Sequence, residues 1–247
     1  MKSAQSLAWI KPGISFSSLK DNFYDSETDR GPIAASQSLN MAMLLDAYRE
    51  GIFPWSAAFQ PILWWSPNPR MILRCDEFKQ SRSLGKRIRG DLNQGLKITS
   101  DTVFDKVIAA CSEPRSNQDG TWITPQIMKT YCELHNNGFA HSVEVWGNGD
   151  LIGGLYLVSI GAMVFGESMF SKRTDASKIA LNALVIWLKN NGGHMIDCQQ
   201  ETRHLSNLGG RAIVASDFRR ISKNLMQSQS LPWKNNPLSE KLLKISK

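Results

Sequence analysis

Two carboxylates within apolar segments are the residues of this sequence best suited to do chemistry. Glu167 lies in the run GAMVFGESMFS and Asp197 lies in HMIDCQQ, and both runs read as buried strands. Burying a carboxylate costs several kcal/mol unless it is paired. Gln199 follows Asp197 at i+2, so one strand face is expected to carry both side chains. A carboxylate beside an amide could orient an amine and hold its proton during a transfer reaction.

A structural role for both carboxylates is the alternative. Each could pair with an arginine or cap a helix N-terminus, Asp197 for example with Arg203. Structural ion pairs also occupy buried positions of this kind, so the residue types alone leave both roles open.

Motifs for nucleotides, metals and covalent catalysis are missing from the sequence. It contains no P-loop, no Gly-x-Gly-x-x-Gly after a strand and no Gly-x-Ser-x-Gly elbow. The histidines lack metal-ligand spacing, and the cysteines form no Cys-x-x-Cys pair. We therefore expect no cofactor, no metal site and reduced thiols. The histidines are His135, His141, His194 and His204, and the cysteines are Cys75, Cys111, Cys132 and Cys198.

Tryptophans are frequent, with eight in 247 residues. Trp55, Trp64 and Trp65 lie in a proline-rich stretch at 51–70, and Trp122 precedes a predicted helix. Aromatic side chains on loops can stack a nucleic-acid base for ~1–3 kcal/mol. For Trp64 and Trp65, packing over proline at a domain interface is the equal alternative.

Length and composition indicate a globular protein of one large or two modest domains. The mass is 27.7 kDa, with 42% apolar and 21% charged residues. No apolar run approaches the ~18–20 residues of a membrane span. Lys11 and Pro12 interrupt any signal-peptide apolar region. A cytoplasmic protein is expected.

The positive charge is concentrated in two short segments. The net charge is +7, and residues 79–97 and 217–247 carry the excess. A concentrated basic patch is typical of a polyanion partner, most often nucleic acid. A solvated helix face with a basic tail is the alternative.

The pattern of elements predicts an α+β protein. A helix is expected from Ser38 to Gly51, followed by an extended stretch at 51–70 and a basic helix at 79–90. A helix begins at Thr124-Pro125, with Thr124 as its cap, and three strands lie between His141 and Phe170, the first two joined by a hairpin turn at Asn148-Gly149-Asp150. A helix at 175–190, a strand at 194–199, a strand at 211–215 and a helix at 217–227 follow, before a loose tail. This order resembles the GNAT acyltransferase fold.

Nine short motifs in register carry a more specific resemblance. They are GIFPW (51–55), ILWWSPNPR (62–70), SRS (81–83), GTWIT (120–124), HSVEVW (141–146), GGLY (153–156), GESMFS (166–171), DASK (175–178) and IDCQ (196–199). In this order and spacing, over about residues 31 to 220, the chain resembles the leucyl/phenylalanyl-tRNA–protein transferase family.

That resemblance implies a bacterial cytoplasmic aminoacyltransferase, monomeric and independent of metal and ATP. Its partners would be tRNA charged with Leu, Phe or, as a third candidate, Met, and proteins with N-terminal Arg or Lys. The product is a protein marked for degradation by the N-end rule. The implied division is a small N-terminal domain at 1–74 contributing to the tRNA 3′-end site, a GNAT-like transfer domain at 75–228 and a basic tail at 229–247.

The resemblance also implies roles for individual residues. Asp197, Gln199 and Glu167 would form the reaction centre, with Asp197 orienting or deprotonating the amine and Glu167 favouring the cationic acceptor side chain. The remaining roles are binding of the tRNA 3′-adenosine (Trp55, Trp122, Tyr48, Tyr131), the aminoacyl pocket (Leu155, Val164, Met169) and the tRNA backbone (Arg82, Lys86, Arg89).

Two departures and two competing functions accompany the resemblance. Ser36-Gln37 stands where members commonly carry a glycine pair, and Val164 where a larger aromatic can occur. An acetyl-CoA-dependent GNAT enzyme would need a glycine-rich turn before helix 175–190, where the sequence reads SKRTDAS. A non-enzymatic RNA-binding module would give no reason to bury Glu167 or Asp197.

Overall fold

A small four-stranded sheet forms the N-terminal part of the protein. The computed structural model describes residues 7–19, 31–57, 60–114 and 121–245; Gly120 of the GTWIT motif and parts of the predicted N-terminal domain and tail lie outside these ranges. The sheet order is β1-β2-β4-β3, and only β1 and β2 run parallel. Its strands are β1 (Ala8–Trp9), β2 (Pro32–Ser36), β3 (Phe53–Pro54) and β4 (Ile62–Trp65).

A seven-stranded sheet organises the rest of the chain. The order is β11-β5-β10-β9-β8-β7-β6, with β9 and β10 as the parallel pair. The helix over Ala176–Asn190 connects these two strands. The strands are β5 (Arg70–Arg74), β6 (Lys97–Ser100), β7 (Ala140–Gly147), β8 (Asp150–Ile160), β9 (Met163–Ser171), β10 (Met195–Gln199) and β11 (Arg211–Ile213).

Helices cover both faces of the large sheet and create two apolar cores. Tyr156 and Phe165 belong to the core that contains α1, α3, α4 and α7. Leu155 and Val164 point to the other face, into the core with α2, α5 and the C-terminal segment. The helices are α1 (Met41–Arg49), α2 (Arg82–Asn93), α3 (Phe104–Ser112), α4 (Pro125–Asn136), α5 (Ala176–Asn190), α6 (Arg203–Asn207), α7 (Ala215–Met226) and α8 (Lys241–Ile245).

Local signals predicted the antiparallel hairpins and most helix ends. Asn148 and Gly149 both have positive φ, as a two-residue hairpin turn requires. Thr124 caps α4 by accepting a hydrogen bond from the backbone N–H of Ile127, with Pro125 in the first turn. Helix α1 begins later than predicted, because Asn40 rather than Ser38 is the cap and accepts a hydrogen bond from the backbone N–H of Met43.

The predicted loose tail is wrong. Residues after 228 pack onto the core through Leu231, Trp233, Leu238 and Leu243, all buried. The Trp233 ring stacks on His141, with centroids 4.2 Å apart, and contacts Trp187 at 4.3 Å. Polar and proline residues dominate this segment, so its few apolar anchors gave no periodic signal.

The change from the small to the large sheet falls between Trp65 and Arg70. Strand β5 pairs with β10 and β11 of the large sheet. Residues 70–74, predicted as the end of the N-terminal domain, therefore lie in the larger sheet. Ser36, which stands where family members commonly carry a glycine, has a structural role. Its hydroxyl accepts a hydrogen bond from the indole N–H of buried Trp64 at 3.0 Å.

Replacing Trp233 with alanine should lower the free energy of unfolding by about 3–5 kcal/mol, because a buried aromatic leaves a large cavity. Urea denaturation measures this change. The neighbouring Lys234→Ala, at an exposed position, is the control and should change stability little. Equal stability of Trp233→Ala and wild type would contradict the packed tail.

Candidate active site

A fully buried ion pair joins β5 to β10 at the centre of the molecule. Arg70 donates two hydrogen bonds to Asp197, from Nε to Oδ1 at 2.8 Å and from Nη2 to Oδ2 at 2.6 Å. The exposed fractions are 1% for Arg70 and 0% for Asp197. The partner of Asp197 is therefore Arg70, not the predicted Arg203.

Two aromatic rings enclose the Arg70 guanidinium. Its central carbon lies 4.7 Å from the centroid of Phe53 and 4.6 Å from that of Phe218. Phe53 comes from the small sheet and Phe218 from α7, so elements distant in sequence fix one cation. Cation–π contacts of this kind gain strength when they are desolvated.

Gln199 takes an irregular backbone conformation directly after Asp197. Its φ is +63°, and the pairing of β10 with β5 shifts register between the two residues. The backbone N–H of Gln199 donates to Asp197 Oδ1 at 2.9 Å. Its side-chain amide Nε2 lies 3.2 Å from Glu167 Oε1. The prediction of one shared strand face for Asp197 and Gln199 was wrong, because the bulge breaks the alternation.

Glu167 lies at a second bulge, on β9. Tyr156 pairs with Ser168 and Leu157 with Gly166, so Glu167 has no partner on β8. The hydroxyl of Tyr48 lies 2.6 Å from Oε1, and that of Tyr131 lies 2.8 Å from Oε2. Burial, opposed by these hydrogen bonds and reinforced by the charge of Asp197, raises the pKa of Glu167 to about 7.

A cavity of about 780 Å³ opens in front of Glu167 and Gln199. Aromatic surface comes from Trp55, which follows β3, from Trp65 of β4 and from Trp122, ahead of α4. Apolar residues of the large sheet and α5 contribute further lining, and they include Leu155, Leu157, Met169, Leu181, Leu184 and Ile196. The arrangement can hold a large ligand with both aromatic and aliphatic parts beside two hydrogen-bonding side chains.

Several of the predicted binding residues reach this cavity and others do not. Trp55, Trp122, Leu155 and Met169 line it. Val164 does not, since it is fully buried in the core beneath α5, and its predicted place in the pocket is wrong.

The two tyrosines predicted at the adenosine site lie behind Glu167. Tyr48 and Tyr131 have no exposed surface and contribute nothing to the cavity lining. Their hydroxyls contact Glu167 and each other. Asp197 is likewise absent from the lining, whereas Gln199, which donates its backbone N–H to Asp197, is part of it.

The basic helix α2 presents its charges to solvent. Arg82, Lys86 and Arg89 are exposed at i, i+4 and i+7, while Leu84 and Ile88 pack inward. Within the described chain no carboxylate forms an ion pair with these three side chains. Arg87, by contrast, pairs with Asp175 at 2.9 Å. One face of α2 is therefore free to contact an anionic surface.

Comparison with known proteins identifies the family. The family model described as leucyl/phenylalanyl-tRNA protein transferase matches residues 72–223. A second family model, for the N-terminal domain of the same transferase, matches residues 37–68. The chain belongs to the leucyl/phenylalanyl-tRNA protein transferase family.

Relatives bearing the name leucyl/phenylalanyl-tRNA–protein transferase match along most of the chain. The protein of Polaromonas sp. is 46% identical over 232 residues, covering 93% of this chain and 91% of the relative. That of Chromobacterium violaceum is 53% identical over 188 residues, covering 76% and 79%. That of Paraburkholderia phymatum is 47% identical over 227 residues, covering 91% and 93%.

The solved structure of L-PGS from Bacillus licheniformis aligns over 83% of this chain and 65% of its own. Its sequence identity is 11% and its TM-score 0.36. A likeness at this level does not establish a shared fold.

Arg70 is the site residue of this family member that sequence reasoning missed. Arg70 is the last residue of the motif ILWWSPNPR, and a basic residue that follows two prolines is typical of an exposed turn. Charge compensation could have indicated this residue, because a buried Asp197 requires a cation and Arg70 begins the apolar segment RMIL.

Removing one member of this ion pair should destabilise the protein more than removing both. Asp197→Ala leaves Arg70 buried without its partner, and we expect a loss of about 3–5 kcal/mol in the free energy of unfolding. The double variant Arg70→Met/Asp197→Leu should recover much of this loss. Asp76→Ala, which breaks the exposed pair with Arg74, is the control. Urea denaturation of the four proteins provides the test, and a double variant less stable than Asp197→Ala would contradict it.

Proposed function

We infer that this protein transfers leucine or phenylalanine from charged tRNA to the N-terminal Arg or Lys of acceptor proteins. The family assignment covers most of the chain. The observation that supports the chemistry is the cavity of about 780 Å³, which combines aromatic and aliphatic walls with Glu167 and Gln199. An aminoacyl-adenosine end has the same combination of a base, an apolar side chain and a reacting ester. The product carries a new N-terminal residue that marks it for degradation.

The reaction places few demands on the protein because the aminoacyl ester is already activated. The site must hold the amine against the carbonyl carbon, stabilise the tetrahedral intermediate and move one proton. An α-amine has a pKa of ~7.7–8.0, so a usable fraction is neutral near pH 7. Positioned amides and carboxyl groups are sufficient for these tasks.

The substrate groups are assigned from the cavity walls. Trp55 and Trp122 would stack the terminal adenine, since both line the cavity and Trp55 is 41% exposed. Leu155 and Met169 would surround the aminoacyl side chain. Leu181 and Leu184 of α5 replace Val164 as further members of this apolar pocket.

Asp197 is assigned a positioning role instead of direct contact with the amine. Both of its oxygens bind Arg70, and Oδ1 also accepts the N–H of Gln199. It therefore fixes the strained backbone that directs the Gln199 amide to Glu167. The amine would meet Gln199 and Glu167, which line the cavity.

A GNAT-like architecture is proposed for the larger domain. Antiparallel strands β7, β8 and β9 precede a crossover through α5 to the parallel strand β10. The strands β9 and β10 pair only at Val164–Ile196 and Phe165–Asp197 before they separate. The cavity residues Glu167 and Gln199 follow that separation.

An acetyl-CoA enzyme is disfavoured by the N-terminus of α5. Asp175 begins the helix with φ +66° and is paired with Lys178 at 2.8 Å and with Arg87 at 2.9 Å. A pyrophosphate needs free N–H groups at a helix N-terminus, and a carboxylate there repels it. A purely RNA-binding module would leave the Glu167 and Gln199 arrangement without a use.

The expected partners follow from this assignment. They are aminoacyl-tRNA and proteins with a basic N-terminal residue. We expect the protein to act as a monomer in the cytoplasm. None of the described helices combines the length and apolarity of a membrane span.

Purified protein incubated with an Arg-initiated peptide should incorporate label from Leu-tRNA and Phe-tRNA but not from acetyl-CoA. Mass spectrometry of the peptide should locate the new residue at its N-terminus. A peptide with an acetylated N-terminus is the control, because it has no free amine. Transfer from acetyl-CoA alone would contradict the proposal.

The exposed face of α2 should make tRNA binding depend steeply on salt. Each neutralised phosphate releases condensed counterions, so replacing Arg82, Lys86 and Arg89 with alanine should weaken binding and flatten the log–log salt slope. The choice between Leu and Phe should not change, because phosphate contacts carry no such information. Binding titrations at increasing salt measure both effects.

A matched triple variant separates α2 from the other basic segment. Lys223→Ala/Lys234→Ala/Lys241→Ala removes the same charge from exposed positions in the C-terminal region. If this variant flattens the slope and the α2 variant does not, the tRNA lies along the C-terminal region.

A further inference from the structure

Three oxygen-bearing side chains form a closed ring behind the cavity. The hydroxyls of Tyr48 and Tyr131 lie 2.6 Å apart. Tyr48 is also 2.6 Å from Glu167 Oε1, and Tyr131 is 2.8 Å from Oε2. Each of the three contacts has the length of an O–H···O hydrogen bond.

Three such contacts need three hydrogens, and the tyrosines supply two. Burial raises the pKa of both phenols well above the ordinary value, so both keep their protons. If Glu167 were ionised, two hydroxyl hydrogens would have to serve three oxygen–oxygen contacts. One of the three contacts would then have no hydrogen between its oxygens.

A proton on Glu167 completes the ring. Oε1 accepts from Tyr48 and from the Gln199 amide at 3.2 Å, so Oε2 is the oxygen left to carry it. Oε2–H then donates to Tyr131, Tyr131 donates to Tyr48, and Tyr48 donates to Oε1. Every contact has one hydrogen, and every hydrogen has one acceptor.

The position of Glu167 allows this proton to leave. Both tyrosines are fully buried, whereas Glu167 lines the cavity. The other titratable groups facing it are Asp197 on β10, already paired with Arg70, and Tyr156 on β8. Burial brings the pKa of Glu167 to about 7, a value suited to proton transfer near neutral pH.

We propose that Glu167 holds this third proton in the resting protein and delivers it to the oxygen that leaves during transfer. The inference rests on the proposed function. The amine nitrogen bonds to the carbonyl carbon, and the bond from that carbon to the ribose oxygen breaks with its electron pair on oxygen. Glu167 protonates that oxygen, and the surplus proton of the nitrogen returns to the carboxylate. Glu167 is then a neutral acid and not an anion that recognises the acceptor's basic side chain.

Glu167→Gln separates these two roles. The amide can donate to Tyr131 and accept from Tyr48, so it keeps the ring but cannot transfer a proton. We expect kcat to fall about 10²–10⁴-fold, with KM for Arg-initiated peptide and for charged tRNA nearly unchanged. Glu144→Gln is the control, because Glu144 is also a buried carboxylate of raised pKa but is bonded to Ser142 and Thr99. A raised KM for the peptide with unchanged kcat would overturn the proposal.

A stability titration tests the proton without any activity. Glu167 binds its proton more tightly when folded, so its contribution to stability is complete below about pH 4.5 and is lost as the pH rises through about 7. The difference in unfolding free energy between wild type and Glu167→Gln should therefore fall over this range. A flat difference would overturn the proposal, even if transfer occurs.

Carbon-13 labelling of the glutamate carboxyl groups removes the dependence on a folded Glu167→Gln variant. A glutamate that titrates near pH 7 in wild type should be retained in Glu144→Gln, which lacks the other buried glutamate of raised pKa. If all glutamates of Glu144→Gln titrate in the ordinary range near 4–5, Glu167 holds no proton at neutral pH and the proposal fails. A wild type that titrates as expected yet transfers neither amino acid would overturn the proposed function and the catalytic use of the proton, while the ring protonation would stand.

Discussion

The Arg70–Asp197 ion pair is the constraint on which the site depends. Each group is fully buried, so neither is tolerated without the other. The planar guanidinium meets both carboxylate oxygens and lies between two aromatic rings, which a lysine ammonium could not reproduce. The rings come from the small sheet and from α7. One ion pair thus fixes the N-terminal part, the central strands and a C-terminal helix relative to one another.

The strand irregularities beside this pair create the polar part of the cavity. A regular β9 and β10 would alternate their side chains between the two cores. The bulges at Glu167 and Gln199 break that alternation and direct both side chains to one opening. Positive φ at Gln199 is a local cost, and its N–H bond to Asp197 helps to hold the residue there.

Sequence patterns predicted what depends on neighbours in the chain and missed what depends on distant ones. The hairpin at Asn148-Gly149 and the cap at Thr124 follow from local backbone chemistry, and both were correct. The partner of Asp197 lies 127 residues away, and the anchor Trp233 stacks on His141 of β7. Val164 was placed in the pocket by resemblance, but the helix crossing its strand covers it. No periodicity in the sequence reports such coverage.

The two carboxylates of the site differ because their partners differ. Asp197 faces a guanidinium that forks onto both oxygens, so its charge is neutralised where it is buried. Glu167 faces two neutral phenols and an amide, none of which carries a compensating charge, and the nearby charge of Asp197 further favours its protonated form. Where one of two neighbouring carboxyl groups is paired with a cation and the other is not, enzymes commonly use the first for structure or electrostatics and the second for proton transfer. In this protein the division follows from the position of Arg70, which pairs with Asp197, whereas no cation among the described residues pairs with Glu167.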